Sequence, residues 1–508
     1  MMKDKNHNFI LVGLLFIFGL FVRLYFFVGN HFPLHDGGFF YVLIQELISN
    51  NFSLPAFSSY NNANIPFLYP PFGFYFVGGI EFLFGVDRLQ LMQVVPLLVT
   101  SLTVPAFYFL AFEILKRREK AFASALIFSL LPYSYKWLIM GGGITRSFGA
   151  LFAVLALIFL IRFFREGRWQ AGVLCALSCG LTVLSHPEWA WFLFYSIGIY
   201  LLVSLLSKQK KVLLRSALIL FGTALVILPW VLKIYSPKVL HPLQDSGFSR
   251  AGEILKFLML SWSGELLFPV LTVLALIGLG LAIKEKALLM VVWLPAVFIL
   301  QGRAANQKAV IPLALLAGMG LVSLADWLNT RHPGFIKSFV FKLLGAFVLI
   351  YTVIGSMISV IGYAQPLSAQ ELESISWIGQ ATPANSNFLM LSGEGWVEED
   401  YSEWMVSLTG RNSVSLVQGY EWMPDFSGRI AKYDQIQYQY SRGMEPLITW
   451  LQENDIAVDY LIIPKLNTST IGKSNVFGLH WEDARGYPGV ETAYENDEIL
   501  ILDITGIE

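Results

Sequence analysis

The stretch 67-FLYPPFGFYFVGGIEFLFG-85 decides how the chain is threaded. It is apolar enough to pass for a membrane span. Counted as one, it puts the basic run KRREK (116–120) on the outer side, against the excess of Lys and Arg that marks cytoplasmic loops. Read as a helix lying along the outer interface, it leaves spans near 9–29, 89–114, 120–139, 148–164, 169–185, 189–206, 212–232, 265–283, 287–301, 309–328 and 338–361, about eleven in all. KRREK, RFFREGR, SKQKK, KEK and NTRHPGFIK then share the cytoplasmic side with the N-terminus. The segment around His35 and Asp36, GGGITRS (141–147), SHPEW (185–189), GRAANQK (302–308) and the tail share the outer side.

Composition agrees with this threading. The 508 residues are 55% hydrophobic and only 14% charged, and the mean hydropathy is +0.59, which is the range of multi-pass proteins of a cell membrane. A net charge of -1 lacks the basic excess that a nucleic-acid partner requires. Cys175 and Cys179 lie four apart in an apolar run, on one helix face, as small packing residues rather than a disulfide framework. The run Phe9 to Gly29 is too long for a signal-peptide core and reads as a retained span. From Tyr363 onward no apolar run is long enough to cross, and ENDIAVDYLIIP and ENDEILILDI read as short strands after polar turns. The predicted organisation is a polytopic helical membrane domain, 1–362, and an extracytoplasmic α/β domain, 363–508. An outer loop, 30–88, carries interfacial helices.

Ionisable residues kept beside span ends are candidates for function, and here they gather on the outer side. Asp36 precedes the apolar run GGFFYVLIQELI, where a carboxylate serves either as a helix cap or as a general base. In GGGITRS the glycines allow an anion to approach backbone amides at the start of a helix, with Arg146 beside them. A flexible turn with one snorkelling Arg is the alternative. Arg303 and Lys308 are positive on the side where positive charge is scarce, which suits a lipid phosphate, bound for catalysis or as a plain headgroup contact. His186 and Glu188 stand at another outer helix edge as supporting residues. No spacing forms a metal signature, so a divalent cation is allowed but not favoured, and no GxSxG elbow supplies a serine nucleophile.

The segment HDGGFFYVLIQELISNNFSLP followed by YPPFGFYFVGGIEFLFG resembles the first outer loop of the GT-C superfamily of membrane glycosyltransferases. Asp36, Tyr69, Pro70 and Pro71 hold the family's acidic residue and Pro-containing motif, and GRAANQKAVIPLALLAGMGL resembles a late family helix that begins with basic residues. The likeness extends over roughly residues 9–361. A single Asp followed by Gly37 and Gly38, in place of a doubled acidic motif, is similar to the members that use a polyprenyl monophosphate sugar without metal. The resemblance implies an inverting sugar transfer on the outer face, from a polyprenyl-phosphate donor to a protein, glycan or lipid acceptor. Asp36 is then the base, and Arg146, Arg303 and Lys308 hold the phosphate. His35, Tyr69, His186 and Glu188 support them. In SEWMVSLTGRNSVSLVQGYEWMP (402–424), Glu403, Trp404, Arg411, Glu421 and Trp422 read the acceptor, with core packing the alternative for the tryptophans. A transporter or flippase, and a non-catalytic scaffold, are the competing readings.

Overall fold

The computed structural model describes residues 2–207, 211–234, 250–266, 268–421, 423–465 and 481–507. Helices dominate the first part: α1 (Met2–Leu24), α2 (Gly38–Ser49), α3 (Phe72–Phe84), α4 (Arg88–Leu115), α5 (Arg118–Leu130), α6 (Gly143–Glu166) and α7 (Trp169–Val183). They continue through α8 (Pro187–Leu206), α9 (Val212–Ile234), α10 (Arg250–Leu258), α11 (Val270–Lys284), α12 (Leu288–Leu300), α13 (Ala305–Arg331) and α14 (Phe339–Ile361). Between α2 and α3, β1 (Phe57–Ser58) and β2 (Ile65–Pro66) form a small antiparallel pair.

Among the described residues, seven helices are long and apolar enough to cross a membrane: α1, continued through Phe27, α4, α6, α8, α9, α13 and α14. The other segments expected to span form the shorter helices α5, α7, α11 and α12, of 13 to 15 residues. The reason is local for α5. Leu131 precedes Pro132 and takes an extended conformation (ψ 120°), so the helix stops short of the expected end at 139. Helix α3 also has 13 residues, about 20 Å at 1.5 Å per residue, against a hydrocarbon core of about 30 Å.

Loops assigned to the same side meet one another. At one end Arg117 pairs with Asp326 at 2.5 Å, and Glu113 accepts from Arg162 at 2.7 Å and Arg165 at 2.5 Å. At the other end Asp36 pairs with Arg146, and Glu188 with Lys308 at 2.6 Å.

The tail contains α15 (Ala369–Ala381), β3 (Asn387–Met390), α16 (Tyr401–Thr409), β4 (Asn412–Ser413), α17 (Phe426–Ser441) and α18 (Met444–Glu453). It ends with β5 (Tyr460–Pro464), α19 (Trp481–Arg485), β6 (Glu491–Glu495) and β7 (Ile499–Asp503). The strands form one mixed sheet in the order β4-β3-β5-β7-β6, parallel from β4 to β5 and antiparallel beyond. Side chains alternate across a strand, so each strand serves two layers. Leu389, Leu461, Leu500 and Leu502 pack with Leu447 and Leu451 of α18. Phe388, Met390, Ile462 and Ile501 face the opposite way, into a core shared with Trp404 of α16 and with Phe39, Leu43 and Leu47 of α2. The apolar face of α2, read from the sequence as interfacial, is thus covered by the tail. This packing sets the tail directly on the segment between α1 and α3.

Candidate active site

Residues 34–37 lie between two other segments. Gly141 donates to the Leu34 carbonyl at 2.9 Å, Gly142 to the Asp36 carbonyl at 3.1 Å, and His35 to the Gln365 carbonyl at 2.8 Å. The glycines of GGGITRS therefore have a purpose other than an open anion cradle. A Cβ on Gly141 would lie 2.2 Å from the Asp36 carbonyl oxygen, and one on Gly142 within 3.0 Å of both Asp36 carboxylate oxygens. Their missing side chains are filled by the Asp36 segment itself.

Asp36 does not cap α2. The N-cap residue there is Gly37, at φ 135°, which a side chain would strain. The Asp36 carboxylate turns instead toward the start of α6, where it accepts from the Gly142 amide at 3.1 Å and pairs with Arg146. Arg146 also donates to the Trp137 carbonyl at 2.9 Å. The buried amides at the start of α2, which have no partner within the helix, are satisfied from the tail. Glu403 accepts from Phe39 at 2.9 Å and from Gly37 at 3.3 Å, and the Trp404 indole donates to the His35 carbonyl at 2.7 Å. Glu403 and Trp404 are both buried. Trp404 accordingly sits in the core, its ring edge-on to Phe32 at 4.7 Å, and does not face a ligand. Burial first, and then the nearby charge of Asp36, push the Glu403 carboxyl up to about 8.

A cleft of about 160 Å³, partly open to solvent, brings together Asp36, Tyr69, Arg146, His186, Arg303 and Glu421, with Glu403 in its wall. Glu188 stands at its edge, paired with Arg303 and with Lys308, whose ammonium is wholly buried and lies 5.5 Å from the Trp189 ring. Two expected phosphate ligands are therefore held by one carboxylate, which leaves that cluster a single net positive charge. Burial raises the Glu421 carboxyl and pushes Tyr69 up to about 12, so the phenol is neutral.

Not every expected residue reaches the cleft. His35 points away from it into a neighbouring cavity with Gln365 and Glu398, its ring edge-on to Trp137 at 5.3 Å. Arg411 is a tail fastener that donates to the carbonyls of Gly379 at 3.0 Å and Thr382 at 2.6 Å. Trp422 lies outside the described residues. The cleft also holds Phe39, Phe40, Gln418 and Gly419, which the sequence reading passed over. Gln418 donates to the carbonyls of Trp396 at 2.5 Å and Glu399 at 2.7 Å, leaving its amide oxygen as the acceptor. The Gly after Gln418, at φ 88°, was the available signal of a tight turn at the site. Among the described residues no group of three or more His, Cys, Asp or Glu is arranged to hold a metal ion. Beside Asp36 stands a guanidinium, and a dication placed there would meet its repulsion.

With this geometry in view, the comparisons with known proteins are consistent. Residues 69–232 match the family model of dolichyl-phosphate-mannose-protein mannosyltransferase. No curated protein matches the chain by sequence. The fold is similar to that of an Archaeoglobus fulgidus oligosaccharyltransferase tethered to an acceptor peptide, with TM-score 0.65 and 15% identity over 91% of this chain and 69% of that one. It is similar to ArnT from Cupriavidus metallidurans bound to undecaprenyl phosphate, with TM-score 0.59 and 14% identity over 98% of both chains. It also resembles the arabinofuranosyltransferase AftD from Mycobacteria, with TM-score 0.52 and 15% identity over 97% of this chain but only 41% of that one. The chain thus has the fold of the GT-C membrane glycosyltransferases and, over residues 69–232, the sequence pattern of one of their families.

Proposed function

We propose that the protein is an integral membrane glycosyltransferase that moves a sugar from a polyprenyl-phosphate donor to an acceptor on the outer face of the membrane, with inversion. The observation that carries this reading is the lining of one cleft by a carboxylate, Asp36, and two guanidinium groups, Arg146 and Arg303. The undecaprenyl phosphate held by the ArnT structure of similar fold supports the donor class. In the reaction the acceptor oxygen or nitrogen attacks the anomeric carbon as the bond from that carbon to the phosphate oxygen breaks. Asp36 takes the acceptor proton, and the polyprenyl phosphate leaves with the bonding electrons. Arg146 and Arg303 hold the negative charge on the leaving phosphate, and Lys308 supports Arg303 through Glu188. Glu421 and Gln418 face the acceptor, and Tyr69 and His186 shape the wall between the two substrates. The residues of the cleft carry this chemistry without a cofactor.

The test is transfer of labelled sugar by the purified full-length protein from a panel of polyprenyl monophosphate sugars, with protein, glycan and lipid acceptors. Turnover with one donor is expected. Binding of the donor with no transfer to any acceptor, together with movement of the donor across a proteoliposome membrane, would replace this reading with a flippase.

A further inference from the structure

Helix α6 carries a second charged site at its other end. From Arg146 to Arg162 the helix rises roughly 24 Å at 1.5 Å per residue. There a cleft of about 550 Å³, open on one side, has a polar wall of Glu113, Arg162, Glu166, Arg168 and Gln170, and an apolar wall that includes Phe159 and Leu174. Glu113, buried at the end of α4, accepts from Lys116 at 3.1 Å, Arg162 at 2.7 Å and Arg165 at 2.5 Å. Glu166 pairs with Arg165 at 2.6 Å and with Arg168 at 3.5 Å. Four cations thus surround two carboxylates, an excess of two positive charges. Arg162 bonds Glu113 through Nε and Arg168 comes no closer than 3.5 Å to Glu166, and among the described residues the Nη groups of both make no hydrogen bond. Val173, Leu174 and Leu177, along the adjoining face of α7, are exposed apolar side chains.

We propose that this cleft binds an anionic phospholipid, its phosphate between the Nη ends of Arg162 and Arg168 and an acyl chain along Phe159 and Leu174. Guanidinium forks match two phosphate oxygens at once, and the surplus charge disfavours a headgroup without net charge. A soluble phosphate ion would satisfy the forks but would have no use for the apolar wall, and that wall selects the lipid. The site is independent of the transferase reading, because it lies at the opposite end of α6 and is tested by binding alone.

The experiment is native mass spectrometry of the full-length protein released from nanodiscs of phosphatidylcholine containing a minor fraction of phosphatidylglycerol. Retention of phosphatidylglycerol over phosphatidylcholine is expected. Arg168→Gln, at an exposed position where folding is not at stake, should weaken that retention about fivefold, the effect of one cation near a lipid headgroup. Lys120→Gln removes the same charge from the same end of the molecule but outside the cleft, and should leave retention unchanged. Equal losses in the two variants would mean general attraction of charge and overturn the site. Thermal stabilisation by inorganic phosphate in pure phosphatidylcholine, equal to that given by phosphatidylglycerol, would overturn the lipid as its occupant.

Discussion

At Asp36 the structure separates two roles that one carboxylate in a sequence leaves joined. The cap of α2 belongs to Glu403, so Asp36 is released from that duty and faces a cleft shared with Arg146 and Arg303. Asp36→Asn keeps the shape and the acceptor for the Gly142 amide but loses the basic oxygen. Turnover should fall by about 10² to 10⁴-fold with donor binding largely kept, as measured by single-turnover transfer and donor titration. Near-normal turnover would remove Asp36 from the chemistry. Glu403 has a different signature. Its carboxyl is raised from 4.5 to about 8, by burial first, so between those values the native protein holds a proton that the unfolded chain has released. Stability contributed at this site therefore declines as pH rises from about 4.5 to about 8. Glu403→Gln still accepts from Phe39 but does not titrate, and its unfolding temperature should gain on the wild type across that window. Parallel pH profiles for the two proteins would show that Glu403 titrates normally.

Among elements, the contact that matters most is α16 against the start of α2, joined by the Glu403 and Trp404 bonds to residues 35–39. It depends on Gly38. A Cβ there would lie 2.7 Å from the Glu403 carbonyl oxygen and 2.7 Å from the Ser407 hydroxyl, and the first of these is backbone. Gly38→Ala should destabilise the protein by ~1–3 kcal/mol, the usual cost of overpacking, seen as a lower unfolding temperature. It should also slow transfer, because Asp36 rides on the displaced segment. An unaltered unfolding temperature would show that the two helices are not so tightly joined. The pattern HDGGFF marks α2 in the sequence through its apolar periodicity, and the two glycines hint at a close approach. The tail partner could not be read, since Glu403 lies 366 residues from Gly37 and its approach depends on the tail folding over the loop.

For the whole molecule, the remaining question is which end of the helices faces the cytoplasm. With the native Cys175 and Cys179 buried, single cysteines placed beside Arg117 and Lys286 should be labelled only from the cytoplasm, and one beside Gly410 only from outside. The reverse pattern would place the cleft, and the transfer proposed for it, on the other face. The sequence by itself determined that apolar helices dominate the first part, which charged loops belong together, and that the chain after Tyr363 leaves the membrane pattern, although not every helix end, as α5 shows. Those properties follow from hydropathy, chain length and local charge, and each is written within a few tens of residues. It also singled out Asp36, Arg146 and Arg303, because ionisable residues beside apolar runs are conspicuous, and Glu421 through the Glu-Trp pair in the tail. Only the tertiary structure decided their pairing: Asp36 with the start of α6 and not with α2, Arg303 and Lys308 with one Glu188, His35 in a different cavity from its neighbour, and Arg411 away from the cleft altogether. Ion pairs and helix caps are formed through space, and any carboxylate of suitable reach satisfies them. Which one does so depends on the packing of the sheet, α16 and the helix ends, and the local pattern around each residue leaves that choice open.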